Sequence, residues 1–337
     1  MSQPASSPVV LITPEPFLGV PGPWVARLEA AGFTVREPPD AASTLGQMDD
    51  AATIRLMEGV SAVLSGGDRF TPAVLRALPD LRVIARAGVG YDRVDVPAAT
   101  EQGILLTITP TANHESVAEA TMALIFACAK QIVTKDARTR AGQWPSSPTQ
   151  PIRGKTLGIL GLGRIGRSTA VRARAMGMTV LATESYPDEA FARTNQVELV
   201  SFDTLLAQSD YLTLHCPLSE ATHHIVDGSV LARMKQGSVL INTARGGLVS
   251  EPDLVEALRI GHLGGAGLDV FEVEPARGNN PLFQFENVVV SPHVGGVDSL
   301  SLHDMAMEAA GCIVRLSRGE WPEGAVVNHE LRSHWKW

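Results

Sequence analysis

Three glycines in the middle of the chain have a spacing that can hold phosphate groups. Gly161, Gly163 and Gly166 form the pattern G-x-G-x-x-G directly after an aliphatic run and directly before a stretch typical of a helix. In that context the first glycine permits a tight turn, the second lets a pyrophosphate approach the backbone, and the third lets helix and strand pack closely. By itself the pattern fits a structural strand-to-helix turn equally well.

An acidic residue after the next aliphatic run strengthens the first interpretation. Glu184 follows the run 179–182, close to the expected distance of about 20 residues past the turn, where a carboxylate accepts hydrogen bonds from ribose hydroxyls. The same carboxylate would repel a 2'-phosphate, and Ser185, Tyr186 and Pro187 offer no cation to hold one. We therefore expect NAD rather than NADP. The alternative is a solvated glutamate at a strand end.

Four residues that can bind acids or move protons follow later aliphatic runs. Arg245 lies in NTARGG, Asp269 and Glu274 in GLDVFEVEP, and His293 in SPHVGG. Residues beyond the carboxyl ends of neighbouring parallel strands line one crevice, so these side chains can converge. Arginine can hold a carboxylate and polarise a carbonyl, while histidine paired with a carboxylate is a usual acid or base. Singly, each fits a surface ion pair or a loop, but their joint placement favours catalysis.

The remaining histidines give weaker signals. His215, in LHCPL, also follows an aliphatic run, and structural and cofactor-contacting roles are equally consistent with it. His223 and His224 lie in a polar turn. Cys216 is too close to His215 to share a tetrahedral metal with it, so we expect no metal site.

Short aliphatic runs alternate with helix-like stretches in two series, which predicts an α/β protein with parallel sheets covered on both faces. One amphipathic helix over 114–140 should connect the series, and the Pro- and Ser-rich segment 144–151 should be a loop. The first series has predicted strands at 9–12, 33–35, 62–64 and 81–84. The second has six, as in a dinucleotide-binding sheet, at 157–160, 179–182, 211–214, 238–242, 265–268 and 288–290.

The composition narrows the class of protein. A length of 337 residues favours two domains, and a formal charge of -8 argues against nucleic acid or an anionic membrane as partner. The three cysteines have no paired spacing, and the first eight residues lack the features of a secretory signal. The longest apolar run, 122–129, is far shorter than the roughly 20 residues of a membrane span. We expect a soluble, cytoplasmic protein.

Taken together, the motifs resemble the D-isomer-specific 2-hydroxyacid dehydrogenase family over nearly the whole chain, from about residue 9 to 328. The matching segments are ARAGVGYDRVDV, TPTANHESVAE, GKTLGILGLGRIG, LHCPL, LINTARGGLV, GAGLDVFEVEP and SPHVGG. The resemblance implies a split flavodoxin-like substrate domain, 1–108 plus 300–337, and a Rossmann nucleotide-binding domain, 109–299. It also implies a homodimer formed through the nucleotide domain.

The resemblance implies a role for each matched residue. Arg245 would bind the substrate carboxylate and keto oxygen, His293 would donate the proton during reduction, and Glu274 would pair with His293. The loop Gly88-Val89-Gly90 would offer N–H groups to the substrate, with Val89 and Gly90 in contact with it, and Asp269 would hold the nicotinamide carboxamide. The whole expected cofactor-binding set is Gly161, Gly163, Arg164, Ile165, Gly166, Glu184, His215, Pro217, Thr243 and Asp269.

The expected reaction is hydride transfer between NAD and a small D-2-hydroxy acid or 2-oxo acid. D-3-phosphoglycerate is disfavoured because LSGGDRFT lacks the Arg-Ser expected after the third strand, Arg69 being displaced. Because the chain ends near Trp337, we also expect no appended regulatory domain. Glu184 stands where the family usually has aspartate. Within the enzyme class, a D-3-phosphoglycerate dehydrogenase is the alternative; outside it, the alternative is a nucleotide-sensing corepressor on the same fold. A methyltransferase that shares only the glycine turn is a distant third.

Overall fold

The computed structural model describes residues 7–39 and 48–337, and these form two compact units. Unit 1 consists of Met1–Asn113 and Ser299–Trp337, and unit 2 of His114–Asp298. The unit boundaries thus fall at 113/114 and 298/299, against 108/109 and 299/300 in the sequence-based expectation. Residues 1–6 lie outside the described residues. They are part of the N-terminal segment in which we expect no secretory signal.

Unit 1 is built on a five-stranded parallel sheet in the order β2-β1-β3-β4-β5. The strands are β1 Val9–Ile12, β2 Thr34–Arg36, β3 Ala62–Ser65, β4 Val83–Arg86 and β5 Leu105–Thr107. The helices are α1 Pro23–Ala30, α2 Asp50–Met57, α3 Pro72–Arg76, α4 Val96–Glu101 and, from the returning segment, α12 Ser299–Ser317. Strand β5 and helix α4 were not expected, because neither has a long enough apolar or periodic run to stand out.

Local capping explains where the short helices of unit 1 begin. The side chains of Asp49, Thr71 and Asp95 each accept a backbone N–H three residues ahead, at the starts of α2, α3 and α4. Helices α1 and α12 pack together over one face of the sheet, and the other three helices lie over the opposite face. Both faces of the sheet are therefore buried, as its nearly continuous aliphatic strands require.

Unit 2 contains a seven-stranded parallel sheet in the order β12-β11-β10-β9-β6-β7-β8. Its strands are β6 Thr156–Leu160, β7 Thr179–Thr183, β8 Val197–Leu199, β9 Tyr211–Leu214, β10 Val239–Asn242, β11 Gly265–Leu268 and β12 Val288–Val290. The expectation of six strands was wrong by one, because edge strand β8 has only three residues, two of them exposed. The strand order reverses between β6 and β9, which is the position where this type of sheet binds nucleotides.

The predicted single helix over 114–140 was wrong, since the structure has two helices. Helix α5, His114–Lys130, buries one face in the sheet, whereas α6, Ile132–Arg140, buries none of its residues. Gln131 between them has a left-handed φ of 53°, and the helix axes bend by 58° there. The remaining helices are α7 Arg164–Ala175, α8 Glu189–Thr194, α9 Phe202–Gln208, α10 Gly228–Arg233 and α11 Glu251–Arg259.

Within the described ranges, no individual helix has the length and apolar character needed to traverse a bilayer. The bent pair α5 and α6 meets those criteria jointly, on length and composition alone.

Candidate active site

The glycine turn of unit 2 has the stereochemistry that its spacing predicts. Gly161 has a φ of 97°, and a β-carbon there would lie 2.7 Å from the backbone nitrogen of Cys216. A β-carbon at Gly166 would lie 2.2 Å from the carbonyl oxygen of Gly161. A β-carbon at Gly163 would meet no atom within 4 Å. The first and third glycines are thus required by close contacts, whereas the second leaves open space that fits a dinucleotide pyrophosphate.

Backbone donors face that open space at the start of α7. Gly163 is the N-cap residue, so Arg164 and Ile165 occupy the first turn, where N–H groups have no intrahelical acceptor. The side chain of Arg164 is exposed. Together with the positive end of the helix dipole, these donors suit an anion.

Glu184 lies where a ribose partner is expected, and it also braces the glycine turn. Its Oε2 accepts the backbone N–H of Leu162 at 2.7 Å, and its Oε1 accepts that of Tyr186 at 3.1 Å. The nearby Arg167 donates to the carbonyl oxygen of Leu162 and forms an ion pair with Asp188 at 3.0 Å. The guanidinium of Arg167 is therefore engaged by an acid, which is consistent with NAD.

Arg245 directly follows β10, on a turn that Asn242 shapes. The Asn242 side chain donates to the carbonyl oxygen of Arg245 at 2.8 Å and accepts the N–H of Ala244 at 3.0 Å. The half-buried Arg245 guanidinium donates to the carbonyl oxygen of Ala244 at 2.7 Å. The next residue, Gly246, touches the segment after β11, because a β-carbon there would lie 1.9 Å from the carbonyl carbon of Phe271.

His293 and Glu274 form a pair at the same carboxyl edge of the sheet. The imidazole Nδ1 of His293 lies 2.8 Å from Oε2 of Glu274. Glu274 Oε1 accepts the N–H of Phe271 at 3.1 Å. Because the carboxylate only accepts, Nδ1 carries a proton and Nε2 is the nitrogen that can exchange one with a substrate. The His293 side chain is 45% exposed and that of Glu274 is 20% exposed, so the imidazole is accessible while its partner is sheltered.

Asp269 fixes the loop that carries His293. Its side chain is almost fully buried, with Oδ1 accepting the Ser291 hydroxyl at 2.6 Å and the Val294 N–H at 3.0 Å, and Oδ2 accepting the Gly295 N–H at 2.8 Å. Its carbonyl oxygen accepts the His293 N–H at 2.7 Å. His293 has a left-handed φ of 57°, an uncommon conformation that these bonds stabilise. Sequence reasoning missed this bracing role, because an aspartate after a strand carries no specific signal for it.

The other predicted cofactor residues lie after β9 and β10. His215 Nε2 is 3.2 Å from the Thr213 hydroxyl, and its Nδ1 is buried without a partner among the described residues. Desolvation by burial lowers the pKa of His215 to about 3, so the imidazole is neutral near pH 7. Pro217 is exposed, while the Thr243 hydroxyl meets that of Thr121 on α5 at 2.9 Å. The half-buried, neutral imidazole of His215 is unsuited to acid catalysis but suits a contact with a cofactor.

Unit 1, taken by itself, also presents a loop beyond a strand end. Gly88, with a φ of 139°, follows β4 and donates its N–H to the Thr109 hydroxyl at 2.8 Å. Arg86 donates to the carbonyl oxygen of Gly90 at 2.9 Å. Val89 and Gly90 are half-buried. This is the loop in which the sequence predicts a substrate carboxylate, whereas Arg245, Glu274 and His293 all belong to unit 2.

Similar proteins agree on one family. Residues 122–295 match the family described as D-isomer specific 2-hydroxyacid dehydrogenase, NAD binding domain. A glyoxylate reductase of Korarchaeum cryptofilum is 40% identical over 270 residues, which are 78% of this chain and 81% of that protein. A D-3-phosphoglycerate dehydrogenase of Mycobacterium leprae is 38% identical over 312 residues, 86% of this chain but only 59% of that protein, so the chain spans little more than half of such relatives.

Solved structures agree as well. The D-lactate dehydrogenase of Aquifex aeolicus, complexed with NAD and lactic acid, matches with a TM-score of 0.82 and 26% identity over 95% of this chain and 98% of that one. The predicted family, the fold class of two parallel-sheet α/β domains, and NAD as the cofactor are confirmed by these matches. The chain therefore belongs to the D-isomer specific 2-hydroxyacid dehydrogenase family, a family of NAD-dependent oxidoreductases, and contains its NAD-binding domain.

Proposed function

We propose that the protein transfers a hydride between NAD and C2 of a small D-2-hydroxy acid or 2-oxo acid. The observation that carries this proposal is the hydrogen-bonded pair of His293 and Glu274, which stands with Arg245 at the carboxyl edge of the sheet that holds the glycine turn. An acid or base, its orienting carboxylate and an anion-binding cation are the groups that such a reaction needs.

The residues at the turn would hold the cofactor, which supplies the hydride when bound. The N–H groups of Gly163, Arg164 and Ile165 would face the pyrophosphate, and Glu184 would accept the ribose hydroxyls. Asp269, whose oxygens already accept three donors, would hold the carboxamide at the edge of the loop it braces. The remaining predicted contacts come from His215, Pro217 and Thr243.

The chain's own groups would then bind the substrate and move one proton. Arg245 would hold the substrate carboxylate and polarise its carbonyl. In reduction, His293 would donate the Nε2 proton to the carbonyl oxygen, while Glu274 stabilises the protonated imidazole beforehand. In unit 1, proposed as the substrate domain, the N–H groups of Val89 and Gly90 would bind the substrate.

We assign the substrate to unphosphorylated acids such as glyoxylate or hydroxypyruvate. The end of β3 and the loop after it have Ser65 and Gly66 where a phosphoglycerate dehydrogenase of this family would carry Arg-Ser. In that loop the buried Asp68 carboxylate accepts the Ser65 hydroxyl at 2.8 Å and the Gly66 N–H at 3.1 Å. A buried negative charge disfavours a phosphate there. Two arginines are near this loop: Arg93 donates to the Gly67 carbonyl oxygen at 2.9 Å, and Arg69, in the loop itself, is exposed.

A substrate panel tests the function directly. Purified protein would be mixed with reduced NAD or NADP and, in turn, glyoxylate, hydroxypyruvate, pyruvate and phosphohydroxypyruvate, while absorbance of the reduced cofactor is followed. We expect turnover with NAD and an unphosphorylated acid. Silence across the panel, with NAD still binding, would favour the alternative of a nucleotide-sensing corepressor. Preference for phosphohydroxypyruvate would contradict the substrate assignment alone.

A homodimer through unit 2 and a cytoplasmic location complete the proposal. Helix α6 buries no residue, and its Ile132 and Val133 are 57% and 55% exposed. Trp144, in the following loop, is 88% exposed. A nine-residue helix is unstable alone, so a second copy of this chain that covers these apolar groups would stabilise it. Light scattering should give twice the chain mass, and Ile132→Glu with Trp144→Ser should give monomers.

A further inference from the structure

A histidine outside the proposed catalytic set connects two of the loops at the carboxyl edge of the unit 2 sheet. His224 lies in the turn after β9 and has a left-handed φ of 50°. Its backbone N–H donates to the carbonyl oxygen of Gly247 at 2.8 Å, two residues past Arg245. Its imidazole Nε2 forms a hydrogen-bonded ion pair with Oε1 of Glu272. Because a carboxylate only accepts, Nε2 is the donor in this pair.

Glu272 lies in the segment between β11 and Glu274, so its fixation also fixes Glu274. The N–H of Glu272 donates to Oε1 of Glu251, at the start of α11, at 2.7 Å. On the other side the segment contacts Gly246, where a β-carbon would lie 2.4 Å from the nitrogen of Glu272. The segment is thus held from three directions, and the His224 side chain provides one of them.

The charges in this region make that contact consequential. Three glutamates lie close together at the segment 271–274. Glu272 and Glu274 belong to this segment, and Glu274 accepts the N–H of Phe271. Glu251, from α11, accepts the N–H of Glu272. Like charges brought together repel unless donors or cations face them. His293 faces Glu274, and His224 faces Glu272. Without the His224 imidazole, the Glu272 carboxylate would move towards solvent and draw its segment with it.

We propose that His224 is a positioning residue that, through Glu272, keeps Glu274 aligned with His293. This inference rests on the proposed function, because Glu274 and His293 have catalytic roles only under that function. It assigns no chemistry to His224 itself and explains only how Glu274 is held in place. The half-exposed His224 ring stacks on His223, with centroids 3.9 Å apart and planes inclined by 29°. In the part of the chain that the structure describes, His223 pairs with no carboxylate, so it offers a neighbouring control.

The test compares four variants with the parent protein. His224→Asn removes the imidazole, and asparagine tolerates the left-handed backbone at this position. Glu272→Gln removes the charge from the other partner, and the double variant completes a cycle. His223→Gln is the control, because it removes an imidazole from the same turn but leaves the pair with Glu272 intact.

Five quantities would be measured: kcat, its pH profile, KM for the oxo acid, the Kd for NAD and the thermal midpoint. We expect kcat to fall about tenfold in each single variant, with the double variant little worse than either, because the two residues act as one contact. The Kd for NAD should change less than about twofold. The alkaline limb of the rate profile for reduction should move to lower pH, because the carboxylate that favours the protonated imidazole is less well held. His223→Gln should keep parental kcat.

Several results would overturn the proposal. Parental kcat in His224→Asn or Glu272→Gln, additive losses in the double variant, or an equal loss in His223→Gln would each reject it. A fall in kcat accompanied by an equal weakening of NAD binding and an unmoved pH profile would indicate a merely structural role. The proposed function fails separately, if His293→Ala remains active, whatever the His224 variants do.

Discussion

Each unit of this protein places a buried aspartate just beyond a strand, and the two aspartates are satisfied differently. Asp269 in unit 2 accepts three donors over both of its oxygens and holds the loop of His293. Asp68 in unit 1 accepts the Thr13 hydroxyl, the Ser65 hydroxyl and the Gly66 N–H, all at Oδ2. Its buried Oδ1 has no hydrogen-bond partner among the described residues.

The difference shows where the fold secures a single geometry. A buried carboxylate with donors on both oxygens fixes the groups around it, whereas an unmatched buried oxygen costs on the order of 1–3 kcal/mol. Unit 2 uses its aspartate to hold a side chain with acid or base chemistry in an uncommon backbone conformation. Unit 1 uses its aspartate to close a loop made of small residues. Four tests, with six substitutions in all, break or sharpen this comparison.

His293→Ala tests the most consequential part of the Asp269 loop. It should lower kcat by about two to four orders of magnitude, because the proposed proton donor is lost while the loop keeps its bonds to Asp269. Steady-state rates with the best oxo acid and fluorescence titration of NAD would measure the two effects. Unchanged kcat would reject the role of this histidine, and a matching loss of NAD binding would mean that the loop itself had collapsed.

Parallel substitutions of the two aspartates test the comparison itself. In Asp269→Asn one oxygen becomes an NH2 group that faces a donor, so we expect about 2–4 kcal/mol lower stability and about 100-fold lower kcat. In Asp68→Asn the NH2 group can replace the unmatched Oδ1, so stability should change by less than about 1 kcal/mol. Urea unfolding and steady-state kinetics would decide, and equal effects in both variants would show the contrast to be false.

The glycine turn offers a matched pair that separates folding from cofactor binding. Gly166→Ala forces a methyl group against the Gly161 carbonyl and should lower the free energy of unfolding by about 2–4 kcal/mol. Gly163→Ala has room and an ordinary φ of -70°, so the fold should be unaffected. The methyl group would occupy the space for the pyrophosphate and weaken NAD binding about tenfold or more. Parental NAD affinity in Gly163→Ala would contradict the assignment of that space.

His215 gives the smallest expected effect, through acid stability. Burial lowers the pKa of His215 to about 3, whereas the unfolded chain has a value of about 6.5. Between these values the unfolded state binds a proton that the folded state does not, so stability falls as the pH drops through that window. His215→Gln should flatten this loss in urea unfolding at several pH values. An unchanged slope would mean that the folded protein already accommodates a charged imidazole.

Much of this architecture could be predicted because its signals are local. Aliphatic runs identify most of the strands, the glycine spacing identifies the turn, and parallel strands bring Arg245, Glu274 and His293 to one edge. Strand β8 escaped because an edge strand of three residues needs no apolar run. The break at Gln131 escaped because glutamine has no preference for a left-handed backbone. The bonds of Asp269 and the pair of His224 with Glu272 escaped because they depend on three-dimensional contacts with no sequence spacing of their own.

The contact between Gly246 and the Phe271 peptide limits how this protein can change. With a β-carbon position only 1.9 Å from a backbone carbon, not even alanine fits at the junction of the two loops that carry Arg245 and Glu274. A side chain at Gly246 would therefore push the two loops apart. Under the proposed function, differences in substrate preference would come instead from loops whose side chains have space to differ.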